Sequence, residues 1–271
     1  MAEQSAGGII LETRGATARF GAFTAVDAAT YTLREGETAG IIGPNGAGKS
    51  TFFNLVTGLV APAAGTVHLQ GRDVTGDAPH RRVGRGLVRT FQLVSVFDAL
   101  PVLDNLVLAA VRADRSLAPG RRFFLGSSRA AALRQACAAA LERVGLGGKA
   151  ESITSELSYG DKRKLEIAIA LALRPRVLLL DEPFAGLSDV EIAEVLRLVK
   201  GIQGTLSIAI IEHKISHLLD LVSRLSVMHE GRFIAEGSPE AVLADATVRR
   251  VYWGGQGRRL VEVRARKGAE A

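Results

Sequence analysis

Gly43-Pro44-Asn45-Gly46-Ala47-Gly48-Lys49-Ser50 is the stretch on which the reading of this chain turns. It satisfies G-x-x-x-x-G-K-[ST], the pattern of a phosphate-binding loop set between a strand and a helix. The neighbours supply that setting. Glu37 to Ile42 comes before it with an apolar end suited to a buried strand, and Phe52, Phe53, Leu55 and Val56 follow on a helical pattern. The glycines let the backbone curl until successive N–H groups point at phosphate oxygens. The helix that begins there adds the positive end of its dipole. In that arrangement Gly43 to Thr51 forms the cradle, Lys49 reaches the β- and γ-phosphates, and Ser50 offers its hydroxyl to Mg²⁺. The competing reading is a glycine-rich turn that merely starts a helix, and the full motif in its strand–loop–helix setting argues against it.

The bulk properties bound what such a loop can belong to. The 271 residues suffice for one large domain or two small ones, and 47% hydrophobic residues supply an ample core. No apolar run approaches the ~20 residues of a membrane-spanning helix. Met1 to Gly8 lacks the basic-then-apolar order of a secretory signal. The single cysteine, Cys137, sits among alanines on a helical pattern and reads as a small core residue. With no internal disulfide available, a reducing, cytosolic location is expected. A net charge of +6 admits nucleic acid, an anionic membrane surface or neither, and aromatics at 5% disfavour a base-stacking platform. Much of the excess is arginine in two places. Arg81, Arg82, Arg85 and Arg89 cluster mid-chain, and Arg258, Arg259, Arg264, Arg266 and Lys267 lie in a tail that reads as a frayed, solvated end.

Residues 9–35 read as β-structure, with Ala29, Tyr31 and Leu33 alternating against polar neighbours, and Gly65 to Gln70 reads as a further strand. From about 93 to 160 the character turns helical. Pro101 to Leu106 opens one helix, Arg115 to Ser128 is a Gly-, Arg- and Ser-rich connection, and Arg129 to Val144 is an alanine-rich helix that Gly145 can end. The β/α pattern then resumes. Ser158 can cap a helix whose Leu165, Ala168, Ile169, Ala172 and Leu173 form one stripe expected to be buried. Val177 to Leu180 and Ser207 to Ile211 are short apolar strands of the kind found in parallel sheets. Leu225 to Met228 and Arg232 to Ala235 read as a hairpin, and Ser238-Pro239 starts a C-terminal helix.

A second motif follows the first. Leu178-Leu179-Leu180-Asp181-Glu182-Pro183 is an apolar strand ending in two acids, the form of a Walker B segment. Asp181 is placed to hold Mg²⁺ through its water shell, and Glu182 to orient a water for in-line attack on the γ-phosphate. A solvent-facing acidic pair is the alternative, and the phosphate loop upstream in the same pattern weighs against it.

Taken together, these residues resemble a known family, the ATP-binding-cassette (ABC) ATPases. Leu157-Ser158-Tyr159-Gly160-Asp161 resembles their LSGGQ signature, Phe91-Gln92 their Q-loop, and Ile211-Glu212-His213 their switch histidine. Phe20 is similar in placement to the aromatic that stacks on adenine. The elements stand in the family's order and span nearly the whole chain. The resemblance implies an α/β fold: a P-loop NTPase (RecA-like) core with an antiparallel β subdomain and an inserted α-helical subdomain. It implies a single ABC ATPase domain over 1–271. The nucleotide-binding core is expected at 1–92 and 161–240, the helical subdomain at 93–160, and a C-terminal helix and basic tail at 241–271. It also implies that Ser158, Tyr159, Gly160 and Asp161 face ATP bound on an opposite subunit, so that one chain supplies half of each site. Gln92 is implied near Mg²⁺ and the attacking water, and His213 near the γ-phosphate. Glu182, His213 and Gln92 are the expected catalytic set, and Ser50, Gln92 and Asp181 the expected metal set.

Three departures stand out. Tyr159 replaces a signature glycine, Asp161 replaces its glutamine, and Ser188 stands where many members carry the D-loop aspartate. The variants Arg89-Thr90-Phe91-Gln92, Leu-Ser-Tyr-Gly, Ala-Gly-Leu-Ser and Ile-Glu-His, with an Arg- and Phe-rich insertion around Arg121 to Phe124, resemble the ATPases of branched-chain amino acid importers. Urea and short-amide importers are close relatives, and lipopolysaccharide-export ATPases fit less well. The implied function is an ATP-hydrolysing motor at the cytoplasmic face of the membrane. Its implied partners are a second ATP-binding subunit (a copy or a paralogue), two transmembrane permeases and a solute-binding protein. A non-transport ABC ATPase acting on DNA or ribosomes is disfavoured by one cassette, one cysteine and no heptad run, so no nucleic acid is expected. A P-loop kinase or GTPase has no need of Leu157 to Asp161. The Arg81 to Arg89 cluster reads either as a solvated helix face or as a positive surface toward the membrane subunit or anionic headgroups. Leu93, Val94, Val96, Phe97 and Leu100 divide between insertion core and a groove for a partner helix.

Overall fold

The computed structural model describes residues 7–113 and 127–253. The chain opens with a hairpin of β1 (Ile9–Phe20) and β2 (Phe23–Arg34), followed by β3 (Thr38–Ile42), α1 (Lys49–Thr57), β4 (Ala64–Leu69), β5 (Arg72–Asp73), α2 (Pro79–Gly84) and β6 (Leu87–Arg89). Three helices then dominate: α3 (Val102–Ala113), α4 (Ser127–Arg143) and α5 (Tyr159–Ala172). The remainder is β7 (Val177–Asp181), α6 (Asp189–Ile202), β8 (Ser207–Ile211), α7 (Ile215–Leu218), β9 (Arg224–His229), β10 (Arg232–Gly237), α8 (Pro239–Ala244) and α9 (Ala246–Trp253).

Two sheets result. The antiparallel one runs β2-β1-β4-β5, and the larger one runs β10-β9-β3-β8-β7-β6. In the larger sheet β9, β3, β8, β7 and β6 pair in parallel, and only β10 turns back against β9. Every residue of β3, β7 and β8 is buried, which explains their unbroken apolar runs: both faces are covered. Parallel pairing has a functional consequence. The loops leaving β3, β8, β7 and β6 all emerge at one edge of the sheet, where ligands of open α/β sheets bind.

Three apolar clusters hold the layers. The first joins the antiparallel sheet to α1 and one face of the large sheet, through Tyr31, Leu33, Phe52, Phe53 and Leu179. The second fills the other face with α6, α7, α8 and part of α5. The third belongs to the helical insertion, through Val102, Leu106, Cys137, Leu141 and Leu165. Each fully buried Leu contributes about 1.5–3 kcal/mol.

Several expectations change at this level. The stripe of Leu165, Ala168, Ile169 and Ala172 packs together as expected, but it is not the one buried face of α5. Leu165 and Ala168 pack with the insertion while Ile167 and Ala170 pack under the large sheet, so the helix is covered on two sides. It also runs without interruption through 160, where the core and the insertion were expected to divide. Of the arginine cluster only Arg81 stays on a solvated face. Arg82 is only 1% exposed. Its guanidinium donates to the carbonyls of Leu55, Val56, Thr75 and Asp77 at 2.7–3.0 Å, satisfying the carbonyl end of α1. Arg85 pairs with Asp77 at 2.8 Å, and Arg89 is turned inward. Residues 93–100 form loop rather than helix, with Leu93 and Phe97 exposed and Val96 against the insertion core. Arg121 to Phe124 and the Arg258 to Lys267 tail lie outside the described residues. Among the described residues no helix is long and apolar enough to cross a membrane.

Candidate nucleotide site

The phosphate loop leaves β3 and enters α1 through Gly48, the helix N-cap, at φ 99°. No side chain caps this terminus and no acid lies in its first turn, so its N–H groups are left for an anion. The loop is pinned by main chain. A Cβ on Gly48 would lie 2.4 Å from the Ala25 carbonyl oxygen, and one on Gly43 would lie 2.1 Å from the Met228 carbonyl oxygen. A Cβ on Gly231 would also meet the Ala25 oxygen, at 2.9 Å, and the Gly231 N–H donates to the Ala47 carbonyl at 3.0 Å. Lys49 is buried, and its Nζ donates to the carbonyls of Gly43 (2.7 Å) and Pro44 (3.0 Å). Burial pushes its ammonium below the usual lysine range, opposed by the charges of Glu182 and Asp181. Ser50 is exposed on the first turn of α1, as are Asn45 and Gly46 in the loop.

The acids at the end of β7 are brought to the same edge. Asp181 is 2% exposed. Its Oδ2 accepts from Arg89 Nη2 at 2.6 Å, and its Oδ1 is buried without a partner. Glu182 sits at φ +48°, a left-handed conformation unusual outside glycine, and its N–H is held by the Ile211 carbonyl at 2.9 Å. The turn aims its carboxylate between two groups. Gln92 Nε2 donates to Oε2 at 3.0 Å, and His213 Nε2 lies 3.0 Å from Oε1. Three segments far apart in sequence thus meet as Gln92, Glu182 and His213. The oxygen-bearing groups expected around Mg²⁺ suit that hard cation, and the orphaned Asp181 Oδ1 is an acceptor that a metal-bound water would satisfy. Among the described residues no cluster of three or more His, Cys, Asp or Glu forms a dedicated metal site.

Phe20 is exposed at the tip of the β1–β2 hairpin, and its register partner Phe23 is more exposed still. Phe23 went unnoticed in the sequence, although it repeats the same signal three residues later.

The signature segment is built differently. Ser158 caps α5, its Oγ accepting from the Asp161 N–H at 3.1 Å. The Gly160 N–H donates to Glu191 Oε1 at 3.1 Å, and a Cβ at 160 would fall 2.3 Å from that oxygen. Glu191 Oε2 in turn accepts from the N–H and hydroxyl of Ser188 at 3.0 and 2.8 Å. Ser188 therefore caps α6 in a capping box, which gives this departure a structural role. The Asp161 carboxylate pairs with Lys149 and, at 2.8 Å, with Lys164. Burial would raise its pKa, but hydrogen bonds from Lys149 and Lys164 prevail and hold it below the usual carboxylate range. Tyr159 lies against Gly186 with its ring under Arg163, 5.9 Å from the guanidinium carbon.

Sequence reasoning missed three supports. Arg163, fully buried on α5, donates to the carbonyls of Phe91 (2.8 Å) and Gln92 (2.7 Å), while its partner Glu166 accepts from the Phe91 N–H at 3.1 Å. The signature helix thereby grips the Q-loop backbone. Glu212 is 2% exposed and accepts from the N–H groups of Phe184, His213 and Lys214 at 2.7–2.9 Å, tying the switch histidine to the turn after Glu182. Tyr252 on α9 meets the Gly43 backbone, and burial pushes its phenol up.

With this geometry in view, the comparisons carry weight. Residues 26–185 match the ABC transporter family. The high-affinity branched-chain amino acid transport ATP-binding protein LivG of Salmonella typhimurium is 37% identical over 90% of this chain and 98% of its own length. The lipopolysaccharide export system ATP-binding protein LptB of Acidithiobacillus ferridurans is 35% identical over 82% of this chain and 87% of its own. A nucleotide-free ATP-binding cassette from an ABC transporter superposes with a TM-score of 0.79 at 30% identity, covering 90% of this chain and 99% of that one.

Proposed function

The chain belongs to the ABC transporter family of ATP-binding cassettes, and from that premise we propose that it is the motor subunit of an importer for branched-chain amino acids or a related small polar solute. Its ATPase chemistry rests on one observation above the others, the convergence of Gln92 and His213 on the two oxygens of Glu182 beside Lys49. Lys49 neutralises phosphate charge from a desolvated position, and the free N–H groups of α1 face the same anion. Ser50, Gln92 and Asp181 would hold Mg²⁺ bound with ATP, which would supply positive charge to offset that of the phosphates. Glu182 orients the attacking water and accepts its proton at the carboxylate, while Gln92 and His213 hold that carboxylate in line. Ser158 and Gly160 serve a second subunit. Among the described residues no hydrogen bond joins them to the phosphate loop of their own chain, which supports a dimer with shared sites. Exposed Leu93 and Phe97 beside the Q-loop support docking of a permease helix at the cytoplasmic face of the membrane.

The importer assignment draws on the greater share of chain matched by LivG. The likeness to LptB keeps an export motor as the second reading. Glu182→Gln tests the chemistry: ATP binding persists and hydrolysis falls about a hundredfold or more. Hydrolysis at the unmodified rate removes Glu182 from this role. The cargo is tested by reconstituting the chain in lipid discs with candidate permeases of its source. Stimulation of ATPase by binding protein loaded with leucine, isoleucine or valine supports import of those solutes. Stimulation by urea or an amide moves the cargo, and stimulation by lipopolysaccharide without any binding protein overturns import.

A further inference from the structure

Arg89 ends β6, three residues before Gln92, and its side chain is 5% exposed. Its guanidinium is shared among three parts of the nucleotide site. Nη2 donates to Asp181 Oδ2 at 2.6 Å, and Nη1 donates to Asn54 Oδ1, on α1, at 2.7 Å. The planar group also lies over the ring of Phe53, on α1, at 5.4 Å and over the ring of Phe91, in the Q-loop, at 5.1 Å. A buried arginine–carboxylate pair by itself says little, because desolvation offsets much of the attraction. Here the partner is informative. Asp181 is held by one oxygen only, and the other, Oδ1, is buried and unpartnered. The rigid fork of the guanidinium sends one arm to Asn54 and the other to Asp181, and so fixes where Oδ2 is held relative to α1, which a lysine's point charge cannot do.

We propose that Arg89 is a positioning residue for the nucleotide-bound cation: it clamps Asp181 through Oδ2 against Asn54, so that Oδ1 is presented to the cation's water shell. The contact with Phe91 places the same clamp under the Q-loop, so a shift of that loop reaches the acid of β7 through one side chain. This inference rests on the ATP-site reading above. It places Arg89 behind Asp181, in contact with neither nucleotide nor metal.

The test compares the affinity of a non-hydrolysable ATP analogue in excess Mg²⁺ with its affinity in EDTA. The ratio of the two is the metal enhancement. In Arg89→Met the affinity in EDTA stays close to that of the unmodified chain, while the metal enhancement falls about tenfold, the usual scale for a lost partner of a metal ligand. Arg89→Lys recovers part of it, since a charge returns without the fork. In an Asp181→Asn background, Arg89→Met produces no further fall. A purely structural pair would lower both affinities together. An unchanged metal enhancement in folded Arg89→Met, or an equal fall with Asp181 already replaced, overturns the proposal. Should Arg89→Met not fold, Asn54→Ala decides: loss of one arm of the fork lowers the metal enhancement about threefold, as for one hydrogen bond, and no change overturns the clamp. Failure of the unmodified chain to bind the analogue at all overturns the ATP-site reading and the clamp with it, and is seen before any substitution is made.

Discussion

The two helix N-termini assigned above to the proposed ATP sites are finished in opposite ways. Helix α1 begins at a bare glycine, with no side-chain cap and no acid in its first turn. Helix α5 begins at Ser158, which caps it, carries Asp161 in its first turn, and has its Gly160 N–H occupied by Glu191. The first terminus leaves its donors unsatisfied and is held open by main-chain contacts and by Lys49. It is prepared for an anion as the chain stands. The second has its Gly160 and Asp161 N–H groups already taken, so an anion at Gly160 would have to displace a carboxylate. Two termini of the same chemical kind therefore differ in what binding costs them.

The most severe way to break this contrast is at the open terminus. Lys49→Ala removes the charge that faces the phosphates. ATP affinity measured by calorimetry falls about 10–100-fold, the scale of a charged hydrogen bond. Unchanged affinity in a folded variant would make the first terminus no more of a phosphate site than the second. Gly160→Asp attacks the closed terminus instead, placing a side chain 2.3 Å from Glu191 Oε1 and a second carboxylate beside the first. Nucleotide affinity of the isolated chain is expected to hold, while turnover at concentrations that allow dimers falls about tenfold through anion repulsion at the helix end. A loss of affinity in the isolated chain equal to that of Lys49→Ala would place both termini on one site and end the comparison.

Glu191→Gln sharpens the contrast most gently. It keeps the size of the side chain but weakens the acceptor, so thermal stability falls by under ~1 kcal/mol near neutral pH. The pH dependence carries the sign. Hydrogen bonds from the Ser188 N–H and hydroxyl hold the Glu191 carboxyl below the usual range. A depressed folded-state pKa stabilises the fold above the unfolded value, near 4.3, and that stability is lost as pH falls through the folded value. The stability gap between the unmodified chain and Glu191→Gln is expected to be full at pH 6 and to close as pH falls below about 4. A gap that persists at low pH would mean the carboxylate charge plays no part in closing the second terminus.

Most of the architecture was legible because it depends on local pattern. The phosphate loop, the acids after Leu178 to Leu180 and the caps at Ser158 and Ser238 are short motifs whose physics is complete within a few residues. What escaped reading depends on pairs distant in sequence. Arg82 and Arg89 read as surface charge, because nothing near them in the sequence announces the carbonyls of α1 or the carboxylate of Asp181. Arg163, Glu166, Glu191 and Glu212 each hold a backbone segment 20 or more residues away, or tie two such segments together. Helix α5 concealed its two-sided burial because its pattern mixes charge with apolar residues on every face. Those charges are buried with partners from other elements, and periodicity cannot display that.

The carbonyl of Ala25 has a wider meaning. Gly48, at the mouth of α1, and Gly231, in the β9–β10 turn, both lean on that one oxygen. The antiparallel sheet is thus a jig against which the nucleotide loop is cut to length, and the jig is made of peptide bonds rather than side chains. Replacing the outward-facing residues of β1 and β2 leaves it untouched. A register shift of β2 that moved Ala25 would displace it, and the loop would lose its reference with every motif residue still in place. What the loop reads is the position of that main chain, not the side chains upon it.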